Sequence, residues 1–206
     1  MFFAAAIAFI GYAALLSTTP IIIRKITSIS PFEITRSYFN IQPINDIVHV
    51  CILTAMVTSG HPTIVKLLPQ TTIIYFCIDI LFHCKIFINN KGYLLHHIAT
   101  GVNVMLFHWQ DTDILYTLSI LFYIQELALI PINIIDILRM QNKVVPKYML
   151  LFRTSFYFLT RICTYGYVVN NFWFCLTKPV LFLMTPLLTH NLYILKKQIQ
   201  VCMKNM

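Results

Sequence analysis

Apolar residues gather into long runs along this chain, and short clusters of Lys, Arg, Asn, Pro and Gly punctuate them. A helix needs about 20 predominantly apolar residues to cross a hydrocarbon core roughly 30 Å thick. Seven runs approach or reach that length: 2 to 23, 44 to 62, 70 to 88, 92 to 109, 114 to 138, 148 to 169 and 172 to 195. Each predicts a helix, and the connections between them are too short to hold a separate folded unit. The sequence carries no internal repeat, low-complexity tract or extended linker.

Composition fixes what surrounds these helices. A 206-residue chain that is 58% hydrophobic and 11% charged has too little polar surface to cover a soluble globule. The expected class is an all-α integral membrane protein with about seven transmembrane helices. Cys51, Cys77, Cys84, Cys163 and Cys175 fall inside apolar runs without zinc-type spacing, so they read as packing residues.

The formal charge of +8 does not point to nucleic acid, because the basic residues punctuate apolar spans and form no stripe. Arg24 and Lys25 follow the first run at once, which predicts a retained anchor with its N-terminus away from the cytosol. Alternating seven spans from that start puts Arg24, Lys25, Arg36, Lys85, Lys91, Arg139, Lys143, Lys147, Lys196, Lys197 and Lys204 on the cytosolic side. The opposite side receives Lys66 and Lys178, with Asp111 and Asp113 in a tight turn. This asymmetry follows the positive-inside rule and predicts a luminal N-terminus and a cytosolic C-terminus.

Ionisable groups inside such spans are costly and usually face the bundle interior. Asp79 is near the middle of the third span, with Tyr75 one turn before it and His83 one turn after, all on one helix face. Glu126 and Arg161 are central in the fifth and sixth spans. His96 and His97 stand together one turn inside the fourth span, pointing about 100° apart, so one is expected to face a cavity and the other a neighbouring helix. Thr100 is four residues after the first and three after the second. The short turn at Asn89 to Lys91 brings Asp79, His83, His96 and His97 to overlapping depths, and His49, Arg153 and His190 map to the same half of the bundle. The expectation is one buried chamber in the middle and cytosolic layers. A structural reading stands beside each group: Asp79 with His83, and Glu126 with Arg161, can simply satisfy one another.

In order along the chain, Tyr75-Phe-Cys-Ile-Asp79, Lys91-Gly-Tyr-Leu-Leu-His-His-Ile-Ala-Thr100, Glu126 with Pro131 and Asn133, Phe158-Leu-Thr-Arg161 and His190-Asn-Leu-Tyr193 resemble the landmarks of the TLC-domain family. The resemblance covers about His49 to Lys197. It implies that six of the seven helices form a TLC-type bundle handling lipids in the endoplasmic reticulum. The chain would then divide into an N-terminal anchor (1 to 30), a TLC-like membrane domain (31 to 200) and a cytosolic tail (201 to 206).

In ceramide synthases of this family the matching His pair serves transfer of an acyl group from acyl-CoA to a sphingoid base. His96, His97 and Asp79 are therefore the catalytic candidates, and His49, Tyr75, His83, Thr100, Glu126, Asn133, Arg161 and His190 the candidates for lining a lipid cavity. Ceramide synthases carry aspartates seven and four residues before the glutamate that Glu126 resembles, where this chain has Ser119 and Phe122. That difference aligns the chain with the short, non-synthase members, which are linked to membrane lipid composition, sphingolipid balance or trafficking.

The expected partners are membrane lipids and no nucleic acid, and a homo-oligomer stays open. No cofactor is expected, with acyl-CoA a co-substrate only under the acyltransferase alternative. A metal site is not expected: di-iron oxygenases need repeated histidine clusters, and seven scattered histidines with one adjacent pair do not supply them. A transporter would call for inverted repeats or paired broken helices, and neither is evident.

Overall fold

The computed structural model describes residues 14, 34–82, 91–106, 112–174, 176 and 178–204. The first predicted span, apart from Ala14, lies outside the described residues, and so does His83. Among the described residues every regular element is a helix. They run as α1 (Ile34–Thr58), α2 (Pro62–Val65), α3 (Leu68–Phe82), α4 (Lys91–Leu106), α5 (Thr112–Glu126), α6 (Leu129–Met140), α7 (Lys147–Tyr157), a π-helical turn (Phe158–Cys163), α8 (Thr164–Phe172) and α9 (Lys178–Lys204).

The boundaries have local causes. Gly60 takes a φ of 65°, a conformation open to a residue without a Cβ, and so ends α1, while Pro62 opens α2 at a position where its missing N–H costs nothing. Asn142, at φ 54°, closes α6. The N–H of Lys143 reaches back to the carbonyl of Leu138 at 2.9 Å, and that of Asn142 to Arg139 at 2.9 Å. This satisfies carbonyls the helix end would leave bare. Pro131 cannot donate to Leu127, so the α5–α6 junction tightens at Leu127 and Ala128, with Ile130 N–H bonding to Leu127 at 3.1 Å. The fifth predicted span is thus one apolar stretch, Asp113–Met140, with a break at its midpoint.

Six elements pack in a closed circuit: α1 on α3, α3 on α4, α4 on α9, α9 on α7, α7 on α6, and α6 back on α1. α5 leans inward against α1, α3, the π-turn and α8. The largest apolar cluster fills one end of this ring, where Val104, Leu118, Phe122, Tyr165, Val168 and Leu187 meet. Smaller clusters join α1, α2 and α3 (Leu53, Val65, Leu68) and α6, α7 and α9 (Ile135, Leu150, Cys202).

Two helices turn polar residues inward and apolar ones outward. α4 buries His97, Thr100 and Asn103 while Leu95, Ile98, Val102 and Met105 on its outer face are 63%, 49%, 41% and 51% exposed. α9 likewise buries Asn191 and Gln198 and exposes Phe182, Leu192 and Ile199. Among the described residues two stretches, Pro62–Leu81 and Asp113–Met140, are long and apolar enough to cross a membrane; Pro43–Thr58 and Leu94–Leu106 are apolar but shorter. Only 44% and 50% of the two long windows is buried, so half of these apolar segments faces outward.

Candidate functional site

Two neighbouring groups of buried polar residues stand out among the described residues. The first joins α1, α3 and α4. Asp79 is essentially sealed from the surface, and its Oδ2 lies 3.0 Å from His97 Nε2. The His97 ring also packs on Phe76, with centroids 4.7 Å apart. One turn before Asp79, Tyr75 donates its hydroxyl proton to Asp46 and stacks face to face on His49, at 4.1 Å and 7° between planes. Three helices are therefore tied together by charged and aromatic side chains with almost no exposure. In a low-dielectric interior such contacts are strong when made and costly when broken.

His96 points elsewhere. α4 packs between α3 and α9, so while His97 turns to α3, His96 turns to α9 and stacks on His190 at 4.8 Å and 21°. The two adjacent rings meet edge to face, 5.9 Å apart at 79°. The buried His96 Nδ1 and His190 Nε2 have no hydrogen-bond partner. A face-to-face imidazole pair with open nitrogens can hold or pass a proton, or receive a hydrogen-bonding ligand.

The second group surrounds an ion pair. Arg161 Nη2 lies 3.0 Å from Glu126 Oε1, both side chains buried. Each partner sits at an irregularity. Glu126 ends α5 where Pro131 breaks the ladder, and Arg161 lies within the π-turn. A π-turn widens the helix locally and swings its side chains out of α register, a distortion that recurs at functional sites.

Beside this pair is a small cavity of about 30 Å³. Thr100, Asn103, Gln125 and Arg161 form its polar end, and Leu118, Leu121, Phe122, Val168, Met184 and Leu187 are among its apolar walls. Thr100 Oγ1, Asn103 Oδ1 and Arg161 Nε are buried without a hydrogen-bond partner.

This cavity sits toward one end of the bundle. Its walls come from the second half of α4, from α5, from α8 and from the start of α9, so it extends toward the end where α4 leads into α5 and α8 into α9. In the predicted orientation that is the luminal end. Apolar side chains converge there, while the histidines stay toward the opposite end.

Among the predicted site residues, Asp79, His97, Tyr75 and His49 come together, His96 meets His190, and Glu126, Arg161 and Thr100 meet at the cavity. Asn133, buried on α6, faces Asp46 and so joins the first group. Sequence reasoning missed Asp46, Asn103 and Gln125. Asp46 precedes His49 by three residues, and Asn103 follows Thr100 by three and His96 by seven, so helical spacing carried both signals. Gln125 is next to Glu126 and had no signal of its own. Among the described residues no group of three or more His, Cys, Asp or Glu side chains is close enough to hold a metal ion.

Comparison of the chain with family models, curated proteins and solved structures gives no match.

Proposed function

We propose that this is a multi-pass membrane protein of the TLC type that binds a lipid chain inside its helical ring and thereby influences membrane lipid composition or trafficking, in the endoplasmic reticulum. The observation that carries this reading is α4: His97, Thr100 and Asn103 turn inward while a stripe of apolar residues turns outward. Polar side chains hold helices together where the surroundings offer no water, and an apolar exterior suits acyl chains. The circuit of six helices supports the reading of a six-helix membrane domain, and the reading adds an anchor over the first apolar run.

The test is mass spectrometry of lipids copurifying with the intact protein after extraction into lipid nanodiscs. The expected result is one or a few lipid species bound at near-stoichiometric amounts and enriched over the bulk membrane. A lipid profile identical to that of empty nanodiscs, together with no lipid-dependent change in thermal stability, would refute the reading.

One observation favours a second reading, N-acyl transfer from acyl-CoA to a sphingoid base. Asp79 at 3.0 Å from His97 is positioned to orient an imidazole, and His96 next to it has an open nitrogen. An imidazole so held can take the proton from an attacking amine. Under this reading, membranes containing the protein convert labelled acyl-CoA and a long-chain base to an amide, and the His96→Ala/His97→Ala variant loses at least about a hundredfold in rate. Equal product from both sets of membranes eliminates it.

A further inference from the structure

We infer that the end of the bundle formed by α6, α7 and α9 binds the phosphate of an anionic membrane lipid, with Arg153 as its anchor and the acyl chains along the outer face of α7. The inference rests on the membrane reading above and adds a site apart from the histidines and the Glu126–Arg161 pair.

Two arginines are buried among the described residues, and their circumstances differ. Arg161 has Glu126 at 3.0 Å. Arg153, 6% exposed, has no ion-pair partner, and its Nε and Nη2 are sealed without a hydrogen-bond partner. The carboxylate beside it on the facing helix is Asp136, which Arg139 already holds at 3.4 Å. Apart from those of the two arginines, the buried atoms without partners belong to Asn, His, Thr and Gln side chains, which can stay neutral. A guanidinium cannot shed its charge, so leaving it unmatched costs far more than one lost hydrogen bond.

The two bare nitrogens also share an edge. Nε and Nη2 present parallel N–H groups, the fork that grips two oxygens of a phosphate at once. That edge is covered in this structure, and binding requires the arginine to turn it outward, a side-chain rotation that leaves the helices in place.

The neighbourhood is basic. Arg139 is near the end of α6, Lys143 is in the turn that follows, and Lys204 closes α9 at the same end. The positive-inside rule explains such exposed residues without any ligand, but it does not explain a buried arginine. Arg153 lies six residues into α7, about 9 Å along the axis from Lys147. Helical side chains lean toward the N-terminus, so its guanidinium reaches back toward the α6–α7 turn, the level of a headgroup in the predicted orientation. Tyr148, Leu151 and Phe152 are exposed on the outside of the same helix. They offer hydrocarbon contact that a soluble phosphate ester would leave unused, which favours a phosphate carrying acyl chains.

The experiment uses the full chain in nanodiscs, with dioleoyl phosphatidic acid, dioleoyl phosphatidylcholine and glycerol 3-phosphate as probes. Binding is read by native mass spectrometry and by the shift in melting temperature. Phosphatidic acid is expected to bind at least about tenfold more tightly than either other probe. Arg153→Met should remove that preference while leaving the melting temperature in phosphatidylcholine alone unchanged or raised, because an unmatched buried charge is lost. Arg153→Lys, which keeps the charge without the fork, should weaken phosphatidic acid at least about threefold and keeps the test readable if Arg153→Met fails to fold. Lys143→Gln should change affinity by less than about twofold, as a distant surface charge would. Equal binding of the two lipids overturns the inference, and so does full affinity in the Arg153 variants or an equal loss in Lys143→Gln. Glycerol 3-phosphate binding as tightly as phosphatidic acid overturns the assignment to a lipid. In all these cases the membrane reading stands; a chain that does not enter nanodiscs at all removes both.

Discussion

Arg161→Met is expected to lower the stability of the protein by about 3–5 kcal/mol, the cost of breaking a buried ion pair from one side. The substitution preserves the length and much of the volume of the side chain, so packing changes little. What it removes is the guanidinium 3.0 Å from Glu126, whose side chain is 2% exposed. The carboxylate is then left with a buried charge, or takes up a proton at a cost in free energy; either way the folded state loses. Glu126→Gln/Arg161→Met should recover most of the loss, because neither partner is then charged.

A double-mutant cycle on these changes, followed by reversible denaturant unfolding in mild detergent, isolates the coupling. A coupling below about 0.5 kcal/mol, the level of an exposed pair, would mean that water reaches the two groups.

The second large effect is expected on the outside of the ring. Ile98 is half exposed on the outer stripe of α4, together with Leu95, Val102 and Met105. If lipid covers this stripe, Ile98→Arg adds about 2.5–3.5 kcal/mol to the free energy of membrane insertion, shifting the balance of inserted to uninserted helix by roughly two orders of magnitude. If water covers it, the same change at an exposed helical position stays within about 0.5 kcal/mol. Gln141→Arg, at the exposed end of α6, serves as the control and should be silent in both cases. An insertion assay with glycosylation tags, alongside carbonate extraction of the full chain, distinguishes the two outcomes. Full insertion of Ile98→Arg at wild-type yield would remove the basis for reading this face as lipid-facing.

How much of this was legible beforehand depended on polarity contrast. The helical stretches could be read because apolar runs are long and their interruptions polar, and His97 and Asp79 could be brought to one depth by counting residues across a short turn. Which face of each helix turns inward was harder. In a soluble helix the apolar face marks the core, whereas here both faces are largely apolar and the inward one is marked only by a few polar residues. The triplet His96, Thr100 and Asn103 was such a mark, and only two of its members were recognised.

The location of the cavity was not legible at all. Polar residues announce themselves in a sequence, but a small gap left beside Leu118, Phe122, Val168 and Leu187 is a property of packing and not of composition. Nor does Phe158-Leu-Thr-Arg-Ile-Cys163 carry a composition cue for its π-turn. Pro131 was the exception: its missing N–H fixes a local consequence that requires no knowledge of neighbours.

That π-turn bears on how this helix tolerates a change in length. It accommodates one residue more than a regular winding would need, absorbed in a local bulge so that the segments on either side keep their phase. A chain shortened by one residue between Phe158 and Cys163 could therefore wind as uninterrupted α-helix and still deliver Tyr165 and Val168 to the same wall. It would forfeit the sideways reach of Arg161.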